Sequence, residues 1–487
     1  MYIVLNPQYE IRNEPNCSYI IRRSEVIDQK NDFVTASVEI IPPFLGFILT
    51  NIGKKVYEES LKSISEELSI GTDKLRIFIE KLIENDSAKK LDVSGQEVIL
   101  PKRLLLYADT PDNRVFKTTK GVLPMDSFEP HRPLTPINMN LMVTTQCTTN
   151  CIYCYAKRIE KNELNTQKII SLIDEAHTLG VINLILTGGD IFVHKGWPDI
   201  LRKAVEKKYS PFISTKTPLS VNDFEILVGL GVGSIQFSLD SVNTETLHKL
   251  LGVSSLYFEK VDVMFKLCEK FGVKVSIRSV LTNLNSTKEE IQELYQYLSR
   301  FTCIEKWVLT PAFYSEHQKD YNKYMVSNER LSLIFNYTQN IKTDFPILYN
   351  KIGKSGYSMS KYKSENDFIK YNQTCYANSY SMSILSSGKC TICEMLYDNR
   401  DYVLGDVHDQ NIENIWNSEK ALMLYSKHQS LITDNSTPCI DCKVYDICKN
   451  KIAKKICYVD ISKIYGEGKF EYPDPRCPKA TDTNLIL

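Results

Sequence analysis

From residue 137 onward the sequence alternates between two hydrophobic periods, and this alternation constrains the fold more than any other feature. Strand-like runs are "INMNLMVTT", "INLILT", "PFISTK", "SIQFSL", "VKVSIRSVL" and "KWVLTP". Helix-period segments lie between them: "TQKIISLIDEAHTLG", "WPDILRKAVEKK", "VNDFEILVGLG", "YFEKVDVMFKLCEKFG" and "TKEEIQELYQYLSRF". Strands joined by helices imply a parallel sheet with right-handed crossovers, either open or curled into part of a barrel. Ligands of such sheets lie at the carboxyl ends of the strands. The polar punctuation "TTQC", "TGGD", "STK", "SLD" and "RSV" falls at or near those ends.

Other regions flank this core. Residues 1–100 read as a small α+β module: "YIVLN" and "SYIIRR" as strands with turn-like "NPQYEIRNEPN" between them, then three helical patterns. The third, "TDKLRIFIEKLIEN", opens on a Thr cap, and the order suggests a winged-helix-like unit. Residues 101–135, rich in Pro, Asp and Lys, read as a linker. Residues 136–311 hold the alternating core. Residues 312–374 form a bridging helical region whose "KSGYSMSKYKSEND" stretch reads as mobile, and 375–487 form a Cys-rich tail. Lys+Arg and Asp+Glu balance at 59 each, so no bulk charge draws the chain to nucleic acid or to an anionic membrane. No apolar run approaches the roughly 18 residues of a spanning helix, and the N-terminus lacks a signal-peptide pattern, so the expected location is cytoplasmic.

Fourteen cysteines in 487 residues are many. In a reducing compartment they read as ligands or catalytic thiols rather than disulfides. Cys17, Cys268 and Cys303 stand alone and read as buried thiols. Cys147, Cys151 and Cys154 share one loop after the first strand, in "QCTTNCIYCYAK". Three thiolates suit three irons of a cubane [4Fe–4S] cluster and leave the fourth iron open to a substrate or cofactor. The alternative is a structural zinc site completed by a distant residue, although no nearby His completes it.

The spacing of Cys147, Cys151, Tyr153 and Cys154 resembles the signature of the radical S-adenosylmethionine (SAM) enzymes, and downstream motifs follow in that family's order. "TGGD", with Gly188, Gly189 and Asp190, is similar to the strand end that holds the methionyl amino group. Ser214, Lys216, Ser238 and Asp240 resemble the ribose and methionyl contacts, and Arg278 is positioned like a further SAM-binding arginine. The resemblance implies a partial (β/α)6 TIM-like barrel. It also implies SAM bound at the open iron and cleaved to a 5′-deoxyadenosyl radical that abstracts a substrate hydrogen. Two departures stand out: Asp190 replaces the commoner Glu, and Leu251-Gly252 stands where many relatives have Arg-Gly.

Eight cysteines follow between Cys375 and Cys477. By themselves they suit two four-ligand sites, structural zincs included. Their layout, with Gly388 between Cys375 and Cys393, resembles the SPASM extension of peptide-modifying radical SAM enzymes. The resemblance implies one auxiliary [4Fe–4S] cluster on Cys375, Cys390, Cys393 and Cys457, and another on Cys439, Cys442, Cys448 and Cys477. With the SAM cluster that makes three. The family's spacing would put a cysteine at Ile452, where this chain first reaches one at Cys457. Glu394, beside a cluster ligand, is a candidate general base.

The N-terminal module is similar to the RiPP recognition element, which captures a leader peptide as an added strand. Together these resemblances identify the chain as a maturase of ribosomally made peptides. The product expected is an intramolecular thioether from a Cys sulfur to a carbon, made with an electron donor such as flavodoxin or ferredoxin. Carbon–carbon cross-linking, epimerisation and sulfatase-type Cys/Ser oxidation are the alternatives. A metal-containing scaffold that binds a peptide without turnover is the non-enzyme alternative.

Overall fold

The computed structural model describes residues 1–23, 38–154, 162–210, 213–312, 321–349, 361–372, 374–397, 399–450 and 452–480. Residues 354–360 of the stretch read as mobile lie outside the described residues. The chain divides into two compact units, one ending at Leu134 and the other beginning at Thr135.

The first unit contains β1 (Tyr2–Leu5), β2 (Tyr9–Glu14), β3 (Cys17–Arg22), β4 (Val38–Ile41), α1 (Pro43–Asn51), α2 (Tyr57–Leu68) and α3 (Thr72–Glu80). A hairpin of β5 (Lys89–Val93) and β6 (Gln96–Leu100) follows, then β7 (Leu105–Ala108) and β8 (Lys117–Thr118). The polar segment read as a turn is the buried strand β2, paired antiparallel with β3 across a tight Pro15-Asn16 turn. Its charges hide one another: Arg12 Nε lies 2.9 Å from Glu14 Oε1, and both side chains are almost fully buried. A pattern of apolar residues alone does not register such a strand. The segment read as a linker supplies β7, which pairs with β1, and β8, which extends the sheet as β4-β3-β2-β8. Thr72 is the first residue of α3 rather than its cap, and its Oγ1 sits 3.0 Å from Ser65 Oγ.

The second unit begins with β9 (Asn138–Thr144), α4 (Thr166–Thr178), β10 (Asn183–Gly188), α5 (Trp197–Glu206), β11 (Ser214–Thr215) and α6 (Val221–Gly229). It continues with β12 (Ser234–Ser238), α7 (Thr244–Leu251), α8 (Tyr257–Phe271), β13 (Lys274–Leu281), α9 (Lys288–Leu298) and β14 (Ile304–Pro311). Helix α7 is one more than the periodicity predicts. Local signals start these helices: Asn165 caps α4, Ser220 and Asp223 form a capping box on α6, and Asn243 caps α7. On α4, Ile169, Leu172, Ile173 and Ala176 form the buried stripe.

Among the described residues the strands of this second unit fall into two sheets. One is all parallel, β11-β12-β13-β14-β15, closing on β15 (Ile347–Tyr349). The other runs β10-β9-β16-β17-β18, with β16 (Ser381–Ile384), β17 (Lys389–Thr391) and β18 (Val403–Asp406). Strand β16, from the Cys-rich tail, pairs in parallel with β9, the strand that leads into the three-cysteine loop. The barrel strands and the Cys-rich tail therefore share one sheet.

Candidate active site

Cys147, Cys151 and Cys154 are all partly exposed on the loop after β9. Two backbone bonds strap this loop to the end of α7, Asn150 N to Leu251 O at 2.6 Å and Ile152 N to Leu250 O at 2.9 Å. The Leu251-Gly252 departure thus sits under the cysteine loop, where Leu251 contributes its carbonyl. Glu163 clamps the entry to the loop: its carboxylate accepts from Thr144 Oγ1 at 2.8 Å, Thr145 N at 2.5 Å and Thr145 Oγ1 at 2.7 Å. Thr149 Oγ1 lies 3.3 Å from Cys151 Sγ, and burial pushes that thiol up against the pull of Lys216.

The glycines of "TGGD" have a structural reason. Gly188 has φ +128°, and a Cβ there would come 2.2 Å from Thr144 O; one on Gly189 would come 2.1 Å from Gln146 O. Only glycine lets the end of β10 lie this close to the entry of the cysteine loop. The backbone approach that the motif demands is to the chain itself.

Asp190 is held in a dense set of hydrogen bonds within the chain. Its Oδ2 accepts from Thr215 Oγ1 at 2.7 Å, Lys216 N at 3.1 Å, Thr217 N at 3.1 Å and Thr217 Oγ1 at 2.8 Å, while Oδ1 accepts from Phe192 N. Since β10 and β11 belong to different sheets, this buried carboxylate joins their ends where no ladder does. It orders the site by fixing residues 215–217.

Asp240 is the second hub. Its carboxylate takes Lys216 Nζ at 3.1 Å, Val280 N at 2.8 Å and the Tyr153 hydroxyl. Lys216 Nζ stands 5.5 Å from the Tyr153 ring centre, a cation–π distance. Burial foremost, then the Asp240 charge, raises the Tyr153 phenol well above its ordinary value, so it stays a donor. Tyr257 donates to Lys216 O at 2.8 Å. Ser214 donates to Gln236 Oε1 at 2.7 Å, and Gln236 Nε2 donates to Ser238 Oγ at 2.8 Å. Arg278, half-buried on β13, pairs in register with Ser238. The structure brings together Tyr153, Gly188, Gly189, Asp190, Ser214, Lys216, Ser238 and Asp240 at neighbouring strand ends. Sequence reasoning missed Glu163, Gln236 and Tyr257; only Gln236, a polar residue inside the apolar run "SIQFSL", carries a local signal.

Glu394 belongs to the same site. It follows Cys393, lies near enough to Thr187 at the end of β10 for that residue to affect its charge, and its Oε2 is buried with no hydrogen-bond partner among the described residues. Burial pushes its carboxyl up to about 7, and Thr187 opposes the rise.

In the tail, Cys439, Cys442, Cys448 and Cys477 line one small cavity. Gln429 Nε2 braces it by donating to Cys439 O and Cys442 O at 2.8 and 3.0 Å. Burial pushes the Cys442, Cys448 and Cys477 thiols up, Cys477 to about 11, so filling the site releases protons. Elsewhere burial foremost, then the Asp460 charge and the neighbouring Cys375, pushes the Cys457 thiol up, and Asp474 Oδ2 accepts from Cys457 N at 2.8 Å. Cys390 is not brought to them. It is fully buried in the main core, its charged neighbours are Asp406, Glu175 and Lys168, and its sulfur sits 3.9 Å from Gly388 O. Cys390 lies within β17 with its side chain in the core, whereas Cys393 lies beyond the strand's end, after a bend at Ile392.

Among the described residues no three Cys, His, Asp or Glu side chains converge as a single metal ion requires. Cubane ligands are spread over separate irons. Three partly exposed thiols on one strapped loop, beside a hub of fixed donors and an orphaned carboxylate oxygen, fit a cluster with an open iron. The four-cysteine cavity fits a closed one.

The chain matches the family model of the radical SAM superfamily over residues 141–298, and that of the SPASM iron–sulfur cluster-binding domain over residues 375–443. It is 21% identical over 308 residues to a PqqA peptide cyclase of Granulibacter bethesdensis, covering 62% of this chain and 78% of that one. It is 24% identical over 365 residues to an Fe-coproporphyrin III synthase of Methanosarcina barkeri, covering 69% and 86%. Its fold is similar to that of Streptococcus suis SuiB bound to S-adenosylmethionine, with TM-score 0.62 and 16% identity over 97% and 98% of the two chains. SuiB bound to precursor peptide SuiA gives TM-score 0.63 at 16% identity, covering 96% and 98%. With both domains matched in one chain, and with the three-cysteine loop inside the first match, this protein is a radical SAM enzyme of the SPASM subfamily.

Proposed function

We propose that this enzyme modifies a ribosomally made precursor peptide and closes an intramolecular thioether between a Cys sulfur and a carbon of another residue. The observation that carries the reading is Glu394, the residue after Cys393, whose buried Oε2 has no hydrogen-bond partner among the described residues. A thioether made from a thiol and a C–H bond releases two hydrogens. When bound, SAM and its iron–sulfur centre supply a hydrogen-abstracting radical, and the auxiliary centres supply an electron acceptor. The chain's own part is to bind and orient the peptide, exclude water, and take the remaining proton on Glu394 Oε2. Lys216, Asp240, Tyr153, Ser214, Ser238 and Arg278 hold SAM, and Asp190 acts by ordering 215–217. Cys147, Cys151 and Cys154 hold the open cluster. Cys439, Cys442, Cys448 and Cys477 hold one auxiliary centre, and Cys375, Cys393 and Cys457 the other. A small electron-transfer protein such as flavodoxin or ferredoxin is the reductant.

Peptide action is supported by the name of one relative, a PqqA peptide cyclase, and by the peptide-bound state of SuiB. The first unit suits leader capture, since among the described residues the half-buried β4 is the terminal strand of its sheet. Carbon–carbon cross-linking is the second reading, favoured by the cyclase similarity. Mass spectrometry of a Cys-containing precursor after anaerobic turnover decides between them. Loss of two hydrogens with loss of an alkylatable thiol is the expected result. The same mass loss with the thiol intact would sink the thioether and leave the carbon–carbon link.

A further inference from the structure

The cavity lined by Cys439, Cys442, Cys448 and Cys477 is also lined by Lys449, Lys479 and Asp474. Two of these three charges are neutralised nearby. Asp474 takes Arg476 Nε at 2.8 Å and Nη2 at 2.7 Å. Lys479, about a third exposed, lies 3.4 Å from Glu365. Lys449 differs: it is 7% exposed, and its Nζ donates to the carbonyls of Glu471 at 2.7 Å, Tyr472 at 2.8 Å and Phe470 at 3.4 Å. Three carbonyls match the three N–H bonds of an ammonium and, among the described residues, leave its charge without a carboxylate in ion-pair contact. A buried cation of this kind is costly unless an anion stands close. A cubane on four thiolates is such an anion, and it becomes more negative on reduction.

We propose that Lys449 is the fixed counter-charge of the iron–sulfur centre in this cavity and that it raises the centre's reduction potential, making it a better electron acceptor. The inference rests on assigning these four cysteines to one centre. Fixed charge next to a cluster shifts its potential, whereas a purely structural strap to residues 470–472 does not.

The test is an anaerobic redox titration of the reconstituted full chain, followed by electron paramagnetic resonance. A C147A/C151A/C154A background removes the signal of the open centre. Lys449→Gln should keep its iron and titrate at least 59 mV more negative, a tenfold change in the one-electron equilibrium, while Lys449→Arg stays near the parent. A Lys449→Gln potential equal to the parent's, or loss of this centre's iron in both variants, would overturn the proposal and leave Lys449 as a strap. Cys477→Ala tests the assignment independently: unchanged iron content there would refute the four-cysteine site, whatever the lysine variants do.

Discussion

Cys147, Cys151 and Cys154 lie partly exposed on one loop, strapped by backbone bonds to α7 and clamped by Glu163. Cys439, Cys442, Cys448 and Cys477 converge from a longer stretch of chain, and all but Cys448 are buried. The first group has three thiols and lies near the Tyr153–Asp240–Lys216 hub. The second is complete, closed, and bordered by lysine. Ligand count and access change together, as they do between catalytic and structural metal sites generally. One chain thus builds a place where something binds and a place where only electrons need to pass.

The largest effect that could break this contrast is loss of a ligand. Cys151→Ala should reduce reductant-dependent 5′-deoxyadenosine formation to the enzyme-free background. Cys442→Ala should spare that cleavage and abolish conversion of the peptide. Chromatography of both products on the two variants checks this, and equal behaviour would erase the distinction. Next, Asp240→Asn can keep Oδ1 as acceptor for Val280 N but replaces Oδ2, the acceptor of Lys216 Nζ and the Tyr153 hydroxyl, with a donor. Outer contacts of this kind typically contribute about 10–100-fold, so SAM affinity should weaken by that order in equilibrium binding.

A smaller effect lies where the two regions meet. The Glu394 carboxyl is pushed up to about 7, so the base form appears as pH rises through that value. Peptide conversion should therefore climb across neutral pH and lose this step in Glu394→Gln, while uncoupled SAM cleavage shows no such step. The linkage sign is the reverse for folding: a carboxyl raised above its unfolded value makes stability fall as pH rises from the ordinary carboxylate range to about 7. The smallest effect expected is that of Cys390→Ala. Iron content should stay at the parent value, and the small core truncation should cost about 1 kcal/mol in thermal unfolding. Loss of iron in this variant, as expected for Cys457→Ala, would return Cys390 to the ligands.

Much of the fold was legible because its signals are local. The six strands and their helices follow from hydrophobic period, and the caps Asn165, Ser220 and Asn243 from residue type. Strand β2 escaped because Arg12 and Glu14 satisfy one another inside the sheet, a pairing that apolar periodicity cannot register. In the site, cysteine spacing marked both clusters, while Glu163 and Tyr257 had no marker because each acts on chain distant in sequence.

The sequence by itself determined which thiols share a loop, where the chain extends or coils, and that glycine must end β10, since these depend on neighbours a few residues away. Only the tertiary structure decided that β16 pairs with β9, that Asp190 joins two sheets, and that Cys390 packs into the core. It also decided that Lys449 borders the thiols with carbonyls in contact. The physical reason is the same throughout: which face a side chain leaves by, and what meets it there, is set by pairing between distant segments and is written in neither segment alone.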